Sequence, residues 1–121
     1  MSSYGDLVAW KKGMRLALSV YRATKSFPRE ELYGLTSQLR RAAVSVPSNI
    51  AEGQARFSHK EFNHFLGNAK GSLAEIDTQL LLARELEFLS VEDAKKLLEE
   101  TEELGRILSG LRNSISERTN N

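Results

Sequence analysis

Apolar residues recur at alternating three- and four-residue steps through four successive segments of this chain. That period lays them along one stripe of a helix, and no segment alternates apolar and polar residues at every second position as a half-buried strand would. The first segment runs from about residue 7 to 27, with Leu7, Trp10, Met14, Ala17 and Tyr21 as its stripe and Asp6 as the expected N-cap. Pro28 ends it, because the residue before a proline is pushed out of helical dihedrals. The second spans about 34–52, with Leu35, Leu39, Ala42, Val46 and Asn49 as its seam and Ile50 beside it. Pro47 lies inside this segment, removes one backbone hydrogen bond and predicts a kink. Gly53 is placed to stop the helix in a left-handed conformation.

The third helix is expected over 58–88 and opens on a capping box, Ser58-His59-Lys60-Glu61. Phe62, Phe65/Leu66, Ala69, Leu73, Ile76, Leu80 and Ala83 follow on one stripe. Ser90 caps the fourth, expected over 91–116, whose seam is Ala94, Leu97, Thr101, Leu104, Leu108, Leu111 and Ile115. The polar tail, residues 117–121, is expected to fray. Four such helices with short joints predict a single domain over residues 1–121, an antiparallel up-down-up-down four-helix bundle. The third helix carries more apolar residues than one bundle face needs, with Leu81, Leu82, Leu86, Phe88 and Leu89 beyond its seam. Either the monomer core uses this surplus, or Leu81 and Leu82 meet another chain.

Composition excludes several classes of function. Without cysteine there is no disulfide framework, thiolate metal site or cysteine nucleophile, as suits a reducing compartment. No signal peptide and no apolar run long enough to span a bilayer is present, so a cytoplasmic protein without a membrane partner is expected. His59 and His64 stand five apart, a spacing that does not suit a helical metal pair, and no phosphate-cradling glycine loop occurs. No nucleophile or metal ligand accompanies Glu52, so no catalytic residue, cofactor or small-molecule substrate is expected.

Charge is the remaining signal. Net charge is +1, but residues 1–71 hold 11 Lys/Arg against 5 Asp/Glu, and residues 72–121 hold 6 against 11. Lys11, Lys12 and Arg15 on the first helix, Arg40 and Arg41 on the second, and Arg56 and Lys60 at the following joint would, on one face, neutralise nucleic-acid phosphates. The alternative is a solvated face, or pairing with the acidic fourth helix of the same or a neighbouring subunit. Asn49 on an apolar seam reads as a register-setting or oligomer-setting residue, or as a donor to the carbonyl freed by Pro47. Glu52 shares a face with Arg41, Ser45 and Ser48 and is expected to meet an arginine across an interface. Gly67 and Gly71, one turn apart, read as a packing device for a closely approaching helix.

The run Arg40-Arg41-Ala42-Ala43-Val44-Ser45-Val46-Pro47-Ser48-Asn49-Ile50-Ala51-Glu52-Gly53 is long and specific. With Leu7 to Met14, Phe27-Pro28, Ser58 to Phe62 and Gly71 to Leu80, it resembles the family of 23S rRNA-intervening sequence proteins over nearly the whole chain. The resemblance implies a bacterial four-helix bundle, often a homopentamer, whose biochemical role is unknown in most members. It also implies kinship with the accessory variability determinant of diversity-generating retroelements, which binds nucleic acid and a reverse transcriptase through a basic surface. This chain departs from those strongly basic proteins in its near-neutral charge. The expected function is a non-enzymatic oligomeric scaffold or adaptor, with RNA, DNA or a nucleic-acid-processing protein as partner. The alternative is a protein–protein interaction module that binds no nucleic acid.

Overall fold

The structure, a computed structural model, describes residues 4–119. Four helices form: α1 (Tyr4–Thr24), α2 (Leu35–Gln54), α3 (His59–Glu85) and α4 (Val91–Thr119). A single 3₁₀ turn, Arg29–Glu31, follows Pro28 in the first joint, and no strand occurs among the described residues. The first helix starts earlier and stops earlier than expected, so Asp6 lies inside its first turn rather than capping it. Phe27 instead closes one end of the bundle, its ring 5.9 Å from that of Phe88. Asn120 and Asn121 of the tail lie outside the described residues, while α4 itself continues to Thr119.

The helix pairs in contact are α1 with α2, α2 with α3, α3 with α4, and α1 with α4. The four therefore occupy the corners of a square in chain order, with four outer sides. The core follows the predicted seams in three helices. Leu39, Ala43, Val46 and Ile50 of α2, Leu66, Ala69, Ile76, Leu80 and Ala83 of α3, and Ala94, Leu104 and Leu108 of α4 are essentially inaccessible. Thr101 is buried among them with its polarity satisfied, its hydroxyl donating to the Asp77 carboxylate on α3 and lying close to the Leu98 carbonyl, an alternative acceptor.

Helix α1 departs from its predicted seam. Its buried row is Ala9, Gly13, Leu16, Val20 and Thr24, turned about one residue from the predicted stripe, and Ala17 alone belongs to both. The reason is close approach at Pro47. A Cβ on Gly13 would sit 3.3 Å from the Pro47 Cβ, so the absence of a side chain there lets α1 lie close against the proline ring. The larger side chains of the predicted stripe are turned outward.

Two backbone expectations change as well. α2 continues through Pro47 to Gln54, and Gly53 is an ordinary helical residue. A Cβ there would stand 2.8 Å from Phe62 Cδ1 and 2.9 Å from Phe65 Cβ, so its lack of a side chain serves packing against α3 rather than termination. The left-handed residue is Glu87 (φ 63°). It follows α3, where the Phe88 amide donates to the Ala83 carbonyl (2.9 Å) and the Glu87 amide to that of Arg84 (3.0 Å), the paired bonds of a Schellman end. At the start of α3 the Ser58 hydroxyl accepts from the Glu61 amide (3.1 Å), while the Glu61 carboxylate accepts from that hydroxyl instead of reaching back to the backbone. Ser90 accepts from the Asp93 amide (3.0 Å) at the start of α4.

Candidate interaction surfaces

The outer sides of the square differ in chemistry. Between α1 and α2 runs an apolar groove of about 450 Å³, lined chiefly by Trp10, Met14, Leu18, Tyr21, Val44 and Pro47. Met14, Leu18, Tyr21 and Val44 are 40–51% exposed, a contiguous patch of large apolar side chains. Burying such a patch is favourable at roughly 25 cal/mol per Å². The outward face of α3 carries a second apolar stretch, with Leu81, Leu82 and Leu86 each between 39% and 49% exposed. Of the apolar surplus on that segment, the core takes up Leu89 and part of Phe88 and leaves these three outside.

The side between α1 and α4 is ionic. Lys12 Nζ lies 2.6 Å from a Glu103 carboxylate oxygen, and the Ser19 hydroxyl donates to Glu100 (3.3 Å). Arg15 lines the same cleft. The hydrogen bond and charge of Lys12 hold the Glu103 carboxyl below its ordinary pKa. Partial burial pushes Glu100 up, against the opposing pull of Ser19 and Arg15. A raised folded-state pKa means the carboxylate of Glu100 opposes folding at neutral pH. That opposition lifts as pH falls through the raised value and is absent once both folded and unfolded forms are protonated. Glu100→Gln should therefore raise the melting temperature slightly at pH 7, and the gain should vanish in melts below about pH 4.

The side between α2 and α3 is polar, lined by Gln38, Arg41, Ser45, Ser72, Glu75 and Gln79. Ser45 donates across it to Ser72.

The seven basic residues picked out from the sequence are spread over this frame. Lys12 and Arg15 face α4, and Arg41 lines the groove on the opposite side of the square. Arg40 donates from Nε to the buried Thr24 hydroxyl (2.8 Å) and stacks on Tyr21, with Cζ 4.7 Å from the ring centroid. Arg56 pairs with Glu52 (2.7 Å) and lies 4.8 Å over the Phe65 ring. Lys11, Arg41 and Lys60 are exposed. Glu52 thus meets an arginine of its own chain. Asn49 is half-buried, and its amide donates to the Ser45 carbonyl (2.8 Å) rather than to the Ala43 carbonyl that Pro47 leaves free. A Cβ on Gly67 would meet the Arg112 guanidinium at 3.2 Å, whereas one on Gly71 would meet nothing within 4 Å in this chain.

The α1–α2 groove is what sequence reading missed. Its signal is present in α1, which carries two apolar rows, the outer one holding Trp10, Met14 and Tyr21.

Four helices packed side by side in chain order, with no strand among the described residues, define an all-α four-helix bundle. The sequence matches the 23S rRNA-intervening sequence protein family over residues 5–110, and the chain belongs to that family. A solved structure of a protein of unknown function from the S23 ribosomal protein family of Bacteroides thetaiotaomicron VPI-5482 has the same fold. It aligns with TM-score 0.84 over 90% of this chain and 98% of that one at 21% identity. No curated protein matches the chain. Among the described residues no helix is long and apolar enough to cross a membrane.

Proposed function

We propose that this protein is a non-enzymatic, cytoplasmic scaffold that assembles with copies of itself into a ring, five being the number its family resemblance implies. The supporting observation is the α1–α2 groove, whose exposed Met14, Leu18, Tyr21 and Val44 gain most when covered by protein. The order of the interhelical contacts supports an antiparallel bundle as the building block: Lys12 meets Glu103 while Ser19 meets Glu100, and Gly13 meets Pro47 while Thr24 meets Arg40. The intrachain partners of Lys12, Arg40 and Arg56 favour a protein-interaction module over a nucleic-acid binder, because cations already paired release fewer counterions on meeting phosphates.

Light scattering at micromolar concentration should give a mass several times that of the 13.6 kDa chain. A monomer would sink the proposal. Fluorescence anisotropy with labelled structured RNA and duplex DNA should show no binding at physiological salt. Micromolar binding with a steep salt dependence, abolished by Arg41→Ala with Lys11→Ala, would restore the nucleic-acid reading. Arg40 is unsuited to that test because its loss also breaks the bond to Thr24.

A further inference from the structure

We infer that the α2–α3 groove is a binding site for a free α-amino acid with an apolar side chain. The site is separate from the α1–α2 groove and does not depend on the self-assembly proposed above.

Two adjoining depressions of about 460 and 430 Å³ lie between α2 and α3. Gln38, Glu75 and Gln79 line both, so the two form one continuous groove. Its ends differ in chemistry. Arg41, Ser45 and Ser72 border only one end, and Leu35, Ala74 and Leu82 border only the other. At roughly 1.5 Å per residue, the ten-residue step from Leu35 to Ser45 along α2 spans about 15 Å, room for an amino acid with a side chain as long as that of phenylalanine.

The charges in this groove are unmatched. On other surfaces Arg56 pairs with Glu52, Arg84 with Glu85 and Arg106 with Glu102. Arg41 and Glu75 line one depression from opposite helices, yet among the described residues neither has a hydrogen-bond or ion-pair partner. A cation and an anion held apart across a gap suit a ligand that carries both charges on neighbouring atoms. The planar Arg41 guanidinium donates to the ligand's α-carboxylate, a pairing that two parallel hydrogen bonds make specific. The α-ammonium donates to Glu75.

Gln79 adds an acceptor beside that position. Its Oε1 is buried without a hydrogen-bond partner. Buried acceptors in folded proteins are nearly all satisfied, and an ammonium has three N–H groups, enough to serve Gln79 as well as Glu75 once the amide turns toward it. The apolar end takes the side chain. Gly71 borders it, and a Cβ there would meet nothing within 4 Å, so the glycine keeps this end open beside Leu35 and Leu82. A residue inside a peptide carries neither charge, and each terminus of a long chain carries one. The free amino acid is the species that satisfies Arg41, Glu75 and the apolar end together.

Isothermal titration calorimetry of the wild-type protein with leucine and with phenylalanine should give one ligand per chain and a Kd below about 1 mM. Two analogues remove one charge each: 3-methylbutylamine is leucine without its carboxylate, and 4-methylpentanoate is leucine without its ammonium. Each should bind at least about tenfold more weakly, the loss of one charge-assisted contact. Arg41→Gln should weaken leucine to the same degree and leave 3-methylbutylamine unchanged, and Glu75→Gln should weaken leucine and leave 4-methylpentanoate unchanged. Both positions are exposed, so circular dichroism should show the wild-type fold. Gly71→Leu should abolish binding of both amino acids by filling the apolar end. No binding of either amino acid overturns the site, and this result needs no variant. So does leucine bound as tightly by Arg41→Gln as by wild type, or N-acetylleucine amide, which carries neither charge, bound as tightly as leucine. Light scattering of the same samples reads self-assembly separately.

Discussion

Leu16→Ala should lower the folding free energy by about 3 kcal/mol, whereas Met14→Ala should cost less than about 1 kcal/mol in the dissociated chain. The two positions are two residues apart on α1, and the three- and four-residue spacing that predicts the core runs through Met14, not Leu16. Leu16 is 1% exposed and Met14 is 40% exposed. Removing Leu16 opens a cavity against the other helices, and cavities in close-packed interiors do not collapse without loss. Removing Met14 widens a groove that already opens to solvent. Chemical denaturation at low protein concentration reads the difference. Equal losses at both sites would return the core to the predicted stripe. Met14→Ala has its own readout, a smaller assembly in light scattering, since that side chain lines the groove to be covered.

The contrast has its cause in the two apolar rows of α1. In α2, α3 and α4 a single row of large apolar residues faces inward, and three- and four-residue spacing identifies it directly. In α1 two rows compete, and spacing gives no preference between them. Gly13 meets Pro47 closely, a Cβ there standing 3.3 Å from the Pro47 Cβ, and the row that carries this glycine is the one turned inward. That is a tertiary constraint with no local trace. Gly53 was misread for a related reason. A glycine near a helix end has two explanations, a left-handed backbone and a near neighbour, and sequence spacing cannot separate them. The left-handed position fell instead on Glu87, a residue with no propensity signal for it.

The charged residues carry the same lesson. Seven cations in the first half suggested one face, yet helices at the corners of a square send neighbouring sequence positions to different sides. Arg40 and Arg41, adjacent in sequence, point to the α1 contact and to the α2–α3 groove. The predicted alternative, pairing with the acidic fourth helix, describes Lys12 with Glu103 within one chain. Such an exposed pair is screened by solvent, so it directs charge more than it holds the fold.

Gly53→Ala should destabilise the protein by about 2 kcal/mol, although in a helix the substitution alone would stabilise by about 1 kcal/mol. The new Cβ would meet Phe62 Cδ1 at 2.8 Å and Phe65 Cβ at 2.9 Å. Phe65 Cβ is anchored directly to its backbone, and the Phe62 ring is 2% exposed with no room to retreat, so α2 and α3 must separate. Gly71→Ala provides the opposite sign in the same fold. With nothing within 4 Å of its Cβ, it should stabilise the dissociated chain by about 1 kcal/mol. Thermal melts of the two variants at low protein concentration read the opposite signs, and a Gly71→Ala protein no more stable than wild type would mean that this position is not open in the dissociated chain.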